Sequence, residues 1–372
     1  MPTDTTPSSG TKNSRQTPTT RQAKKRKGLW TALAIAGAVI IAVAVMAIPV
    51  IAGGPDRSAL IRVPAGATEQ QLADSLTKYF GSDYALHTMR VIKGMNREIS
   101  SRHGAYLIEE GTSPLQAARK IMRGTQTPVR LTINGFRMLP TLADRISRKM
   151  DFTPDSLISA LYDDATLQRY GVTREQAIGI FIDDSYDVYW SESPQQVIDK
   201  IGAHYLSVWN DKRRAQAEQL GLTPAEVMTI CSIVDEETNK TDEKGAIGRL
   251  YINRLRKGMR LQADPTVRYA LGDFTIKRVA GAMLSNPSPY NTYHTTGLPP
   301  GPIRTTSVAT IDAVLSSEPH DYIYMCARPD FSGYHDFASD YDSHLSNARA
   351  YQAALDRLGI TSAAQADSTA VK

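Results

Sequence analysis

Hydrophobicity along the chain changes its period several times, and each change marks an element. Residues 29–54, LWTALAIAGAVIIAVAVMAIPVIAGG, contain no charged residue. At 1.5 Å per residue the apolar run from Leu29 to Ala52 is long enough to cross a hydrocarbon core of about 30 Å. It is also longer than the roughly 7–15 apolar residues of a cleaved signal peptide. The pattern therefore predicts a transmembrane helix over residues 29–52. Downstream the pattern breaks into short segments. LIRVPAGATEQQLADSLTKYF predicts a strand, a turn at Pro64-Ala65-Gly66 and a helix opened by a Thr68/Gln71 capping box. A helix near residues 83–95, the strand GAYLIEEG and the helix SPLQAARKIMRG complete a small α+β unit over 56–126. PVRLTING, residues 128–135, predicts a strand opening a larger unit over 127–358. Helical patterns fill the stretch to residue 221, and the C-terminal half mixes helices with the short strand DYIYMCA. Strands and helices do not alternate as regular βαβ units, so the fold class is α+β and not a doubly wound sheet.

One helix carries candidate chemistry. In LTPAEVMTICSIVDEET, Thr223 is a good N-cap, Pro224 suits the first turn and Glu226 completes a capping box. A step of about 100° per residue places Val227, Ile230, Cys231 and Val234 on one stripe. Three consecutive acids follow. Glu236 falls opposite the stripe and is expected in water, whereas Asp235 and Glu237 fall on its two flanks. A carboxyl held against apolar surface loses hydration, which penalises the charged form and raises its pKa. A proton donor working near neutral pH needs that shift. Periodicity narrows three acids to two and does not choose between them.

The formal charge of the 372-residue chain is +5, with a pI near 9.0. Its location removes the suggestion of a nucleic-acid partner. Of 43 basic and 38 acidic residues, seven basic and one acidic lie within residues 1–28, which leaves 36 and 37 for the remainder. That remainder has no basic surface with which to read a phosphate backbone. The tail 1–28, rich in Thr, Ser, Pro and Lys, has little to bury and is expected to be disordered, as is the terminus over 359–372. The KKRK cluster abuts the N-terminal side of the apolar run, so the positive-inside rule places the tail in the cytoplasm and the rest outside. The absence of Cys near this run excludes a lipid-modified N-terminus. Cys231 and Cys326 sit in apolar runs and read as small buried hydrophobes, too few for a disulfide scaffold. His335, Asp336, Asp340, Asp342 and His344 cluster without a zinc spacing, so neither a metal nor another cofactor is expected.

The segments beyond the acidic triplet choose the acid. GAIGRLYINRLRKGMRLQADPTVRYALG, SPYNTYHTTGLPPGPI and GYHDFASDYDSHLSNA together resemble the YceG-like family of membrane-anchored endolytic murein transglycosylases. HGAYLI, LTINGFRML and IDDSY are weaker matches upstream, and the likeness runs from about residue 60 to about 355. The resemblance implies a LysM-like domain over 56–126 and a catalytic domain over 127–358. The family pattern I-[IV]-E-x-E-T reads here as Ile233-Val234-Asp235-Glu236-Glu237-Thr238, so the first acid is shortened to Asp235. The family's catalytic glutamate, the second acid of that pattern, falls on Glu237. Asn134 stands where the family usually has Glu, and Asp183 where it has Pro. The same resemblance suggests substrate-binding roles for Asn253, Arg254, Gln262, Asp264, Tyr290, Asn291, Tyr293, His335 and His344. Asn253 and Arg254 are expected on a helix, and Gln262 and Asp264 in a turn before Pro265, where Asp commonly bonds its own backbone.

The implied reaction is cleavage of peptidoglycan glycan strands that leaves a 1,6-anhydro-N-acetylmuramic acid end. One glutamic acid suffices for it, because the nucleophile is the substrate's own C6 hydroxyl and no water has to be positioned. Two other classes compete: a lysozyme-type hydrolase, which needs a second cleft carboxylate from Asp264 or Asp235, and a non-catalytic peptidoglycan-binding anchor. Expected partners are glycan strands, the bacterial inner membrane and, as candidates, cell-wall synthases.

Overall fold

The structure, a computed structural model, describes residues 20–95 and 97–359, apart from the side chains of 20–26. The tail readings over 1–19 and 360–372 lie outside the described residues. Packing divides the chain into two units that meet between Gln126 and Thr127.

The first unit opens with helix α1, Thr20–Ile51, which runs back into the segment expected to be disordered. Gln, Ala, Lys and Arg are good helix formers, and extending an existing helix needs no new nucleus. Within α1, Lys27–Ile51 is long and apolar enough to cross a membrane, and most of its large side chains, from Leu29 to Ile51, are exposed. Strand β1, Ala59–Val63, pairs antiparallel with β2, Gly104–Ile108, in a register that sets Ile61 opposite Tyr106. Helices α2 (Glu69–Phe80) and α4 (Pro114–Arg123) pack on this strand pair, and α3 (Ser82–Gly94) packs on both helices. The Thr68/Gln71 capping box forms, and a second one, Ser113/Gln116, starts α4. Ile61, Val63, Leu72, Leu76, Tyr106, Ile108 and Ile121 make the core.

The second unit begins with β3, Val129–Ile133, paired antiparallel with β4, Asp184–Val188. Helices α5 (Leu139–Ser147), α6 (Pro154–Leu161) and α7 (Asp164–Tyr170) lie between them in sequence. Strand β4 corrects the reading of helical patterns alone through residue 221. Only Tyr186 and Val188 of its five residues are buried, and two apolar positions are too few to display a period of two. Then follow α8 (Pro194–Val208), α9 (Asp211–Leu220), α10 (Pro224–Glu237), α11 (Lys244–Arg256), α12 (Asp264–Leu271) and α13 (Val308–Leu315). A last antiparallel hairpin, β5 (Tyr324–Ala327) with β6 (His335–Ala338), carries α14 (Tyr341–Arg357). The architecture is α+β, with three two-stranded sheets among the described residues.

Helix α10 is the axis of this unit. The Thr223 capping box with Glu226 starts it, and every residue from Val227 to Val234 is buried. It packs against α9, α11, α12 and α13. A helix apolar on all sides is enclosed on all sides, so the single-stripe reading underestimates its burial. The neighbours approach closely: a Cβ on Gly248 of α11 would lie 2.8 Å from Val314 of α13. Both cysteines are free; Cys231 is buried in α10 and Cys326 half-buried in β5.

Candidate active site

The end of α10 sends its three acids in three directions. The Asp235 side chain is shielded from solvent and accepts hydrogen bonds from Lys244 Nζ at 2.6 Å, from Thr310 Oγ1 at 2.7 Å and from Thr306 Oγ1. It borders a pocket of about 420 Å³ that is also lined by Asn134 and Asp183. Asp183 accepts from the Gly135 amide at 3.0 Å, and burial raises its pKa despite the Thr305 hydroxyl bond that opposes the shift.

Glu236 is not in water. Its side chain is 8 % exposed and is held from two sides. Arg137 donates from Nε and Nη2 at 2.9 and 2.8 Å, and Arg304 donates from Nη1 at 3.0 Å. Helix phase relates a residue only to its own helix, and here the segment after β3 folds over the face that phase assigned to solvent. Gly135 makes room for the second arginine. Its φ is +66°, and a Cβ there would stand 2.2 Å from Arg304 Nη2.

Glu237 faces a cleft of about 630 Å³. Helices α10, α11 and α12 form one side, and β5, β6 and the start of α14 the other. Tyr251 on α11 donates its hydroxyl to Glu237 Oε1 at 2.7 Å. Burial pushes the Glu237 pKa up to about 7. The Tyr251 bond opposes the shift, the Asp264 charge adds to it, and the Arg268 charge opposes it. Burial and the adjacent Glu237 carboxyl keep the Tyr251 hydroxyl protonated to high pH. The result is a carboxyl that can give a proton near neutrality and, once ionised, take one back.

Six other residues singled out in the sequence line the same cleft: Arg254, Gln262, Asp264, Tyr293, His335 and His344. Arg254 donates to the carbonyls of Arg260 and Ile323 at 2.8 Å each, and to Gln262 Oε1. Gln262 has φ +53°, the left-handed conformation expected of a tight turn. Asp264 is the first residue of α12, and its Oδ1 accepts from Tyr293 Oη at 2.7 Å rather than from its own backbone. The loop that carries Tyr293 lies against the N-terminus of α12 and is tied there by Thr292 and Thr266, 2.8 Å apart. That contact brings the tyrosine within reach. His335 is seated by Glu243, which accepts its backbone N–H at 2.7 Å and lies 3.2 Å from Nδ1. His344 stacks on Tyr324 at 5.0 Å, and burial lowers its pKa.

Three of the singled-out residues lie outside the cleft. Asn253 Nδ2 donates to the carbonyls of His320 and Tyr322 at 2.6 and 3.1 Å, holding the approach to β5. Asn291 is fully buried and donates to the carbonyls of Leu284 and Asn286 at 3.0 and 2.8 Å. Tyr290 packs on Tyr269 at 4.7 Å beside a separate pocket of about 360 Å³. Conversely, sequence reasoning passed over Tyr251, Arg268, Tyr324 and Tyr341, all of which line the cleft. Two of them had a legible signal. Tyr251 stands three residues before Arg254 on α11, and Arg268 four residues after Asp264 on α12, the spacings that share a helix face. Among the described residues no cluster of His, Cys, Asp and Glu could hold a metal ion.

The YceG-like family model matches residues 61–350. The endolytic murein transglycosylase of Bacillus subtilis is 24% identical over 285 residues, covering 72% of this chain and 78% of that protein. An endolytic murein transglycosylase of Streptococcus pneumoniae is 28% identical over 156 residues, covering 40% of this chain and 28% of that longer protein. The crystal structure of a YceG-like protein from Listeria monocytogenes superposes with a TM-score of 0.52 at 25% identity, over 78% of this chain and 98% of that one. With the match running from β1 to α14, across both units and the whole cleft, the chain belongs to the YceG-like family.

Proposed function

We propose that this chain is an endolytic lytic transglycosylase that cuts peptidoglycan glycan strands between N-acetylmuramic acid and N-acetylglucosamine. The observation that carries the reading is Glu237, a carboxyl with a pKa of about 7 on the wall of an open cleft. Relatives bearing the name endolytic murein transglycosylase support the substrate class.

Glu237 protonates the glycosidic oxygen as the bond to the anomeric carbon breaks. The resulting carboxylate then accepts the proton of the C6 hydroxyl of the same muramic acid. That oxygen closes on the anomeric carbon and leaves the 1,6-anhydro end. Because the nucleophile is tethered, effective molarity replaces the positioning of water. Gln262, Asp264, Tyr293, His335 and His344 bind the strand, Arg254 holds Gln262 in place, and Tyr251 orients the acid. Asp264 is the second acid available to a hydrolase, since Asp235 borders a different pocket and Glu236 is bound by two arginines.

In this reading α1 anchors the protein in the inner membrane with its basic end in the cytoplasm. The smaller unit is a LysM-like domain, and both units act on strands outside the membrane. Mass spectrometry of chain ends after digestion of purified peptidoglycan tests the proposal. Anhydro ends are expected; reducing ends, heavier by one water, would make the enzyme a hydrolase and overturn the single-acid route.

A further inference from the structure

Two arginines line the cleft, and they differ in what they leave for a ligand. All three nitrogens of Arg254 are taken by Arg260, Ile323 and Gln262. The Arg268 side chain makes no hydrogen bond or ion pair with any described residue, and its Nε is shut off from solvent with no partner. A half-buried guanidinium with empty donors carries a desolvation cost that no hydrogen bond within the protein offsets. Asp264 stands one turn away on the same helix, but its Oδ1 is engaged by Tyr293 and it forms no ion pair with Arg268. Glu237 is itself half protonated near neutral pH.

The Arg268 charge restrains the rise in the Glu237 pKa, but it does not stabilise the breaking bond. Glycosidic cleavage passes through an oxocarbenium-like transition state, and a fixed cation nearby opposes that developing positive charge. The function left for Arg268 is binding. A backbone of N-acetylated sugars is neutral, so the anions that a peptidoglycan strand offers are carboxylates. They come from the lactyl group of a bare muramic acid or from the peptide attached to it. Arginine presents two parallel N–H donors that match a carboxylate, and a lysine presents only a point charge.

We propose that Arg268 recognises a carboxylate of the substrate, so that the cleft takes carboxylated strands in preference to neutral N-acetylglucosamine chains. The inference rests on the glycan-cleaving reading and names the substrate feature that the cleft selects.

The test measures binding in a Glu237→Gln background, where nothing is cleaved and the charge of Arg268 cannot act through Glu237. Three probes are compared: peptide-bearing glycan strands, strands stripped of peptide by an amidase, and chitohexaose, which has no carboxylate. Arg268→Met should weaken at least one carboxylated probe by about tenfold or more, the size of a lost charge-assisted hydrogen bond. It should leave chitohexaose within about twofold, and Arg268→Lys should recover part of the loss. Loss confined to peptide-bearing strands assigns a peptide carboxylate, loss confined to stripped strands assigns the lactyl carboxylate that the peptide otherwise caps as an amide, and loss on both means that Arg268 takes whichever carboxylate the strand carries. Equal weakening of all three probes, or of none, overturns the proposal. Should Arg268→Met not fold, a salt titration of the parent reads the same charge: affinity for carboxylated strands falls with salt and that for chitohexaose does not. An equal salt response overturns the proposal. Failure of the transglycosylase reading shows separately, in the chain ends that the wild-type protein leaves.

Discussion

The Tyr251 hydroxyl donates a 2.7 Å hydrogen bond to Oε1 of Glu237, joining α11 to the last residue of α10. That bond favours the carboxylate and so restrains the rise in pKa that burial imposes. Tyr251→Phe removes the donor and keeps the ring. The Glu237 pKa should then rise above about 7, and the alkaline limb of the rate–pH profile should move to higher pH. The rate at the optimum should fall as well, because the carboxyl loses its orienting partner. A lower rate with an unmoved limb would reduce Tyr251 to packing.

Glu237→Gln keeps the shape of the side chain and cannot transfer a proton. General acid–base help is worth about 10² to 10⁴ in rate, and one residue here serves both half-reactions, so the loss should sit at the upper end or beyond. Residual anhydro product within about tenfold of wild type would remove Glu237 as the catalyst.

The same substitution has a stability signature with a definite sign. Burial raises the Glu237 pKa from 4.5 to about 7, so between those values the folded state holds a proton that the unfolded state has lost. Stability contributed by this group therefore falls as pH rises through that window and levels off above it. The accumulated cost is about 3 kcal/mol. Glu237→Gln should melt like wild type near pH 4 and above it at pH 8, by a margin that grows between. A pH-independent difference in melting temperature would contradict the shifted carboxyl.

Glu236 and Asp235 should behave as structural acids. Glu236→Gln leaves Arg304, 18 % exposed, without its carboxylate, and Asp235→Asn does the same to Lys244, 15 % exposed. Each should cost about 3–5 kcal/mol in denaturant unfolding, the range for breaking a buried pair. Each folded variant should still form anhydro ends. A Glu236→Gln protein that folds with wild-type stability would mean that the two arginine bonds contribute nothing.

The apolar helix gives a topological expectation. A protease added outside intact spheroplasts should degrade the chain beyond α1 and spare its basic end. Recovery of a soluble protein lacking α1 would show that the segment is removed rather than retained.

Local physics made much of this chain legible in its sequence. The uncharged run that becomes α1, the capping boxes at Thr68 and Thr223 and the strand at β3 all depend on interactions within a few residues. The choice of Glu237 over Asp235 did not come from periodicity, which left both acids on the flanks of the stripe. It came from the likeness of the downstream segments to a family. Tertiary structure decided what depends on residues far apart in sequence. Glu236 is buried because Arg137, 99 residues away, folds over it. Asp264 faces Tyr293 because Thr292 and Thr266 hold the loop against α12. Strand β4 exists because β3 offers it an edge, although its own sequence carries almost no alternation. Asn253 and Asn291 turned to backbone carbonyls because buried carbonyls without donors are costly, and an amide nearby satisfies two at once. A helix's own periodicity states which faces differ; only the packed neighbours state what each face meets.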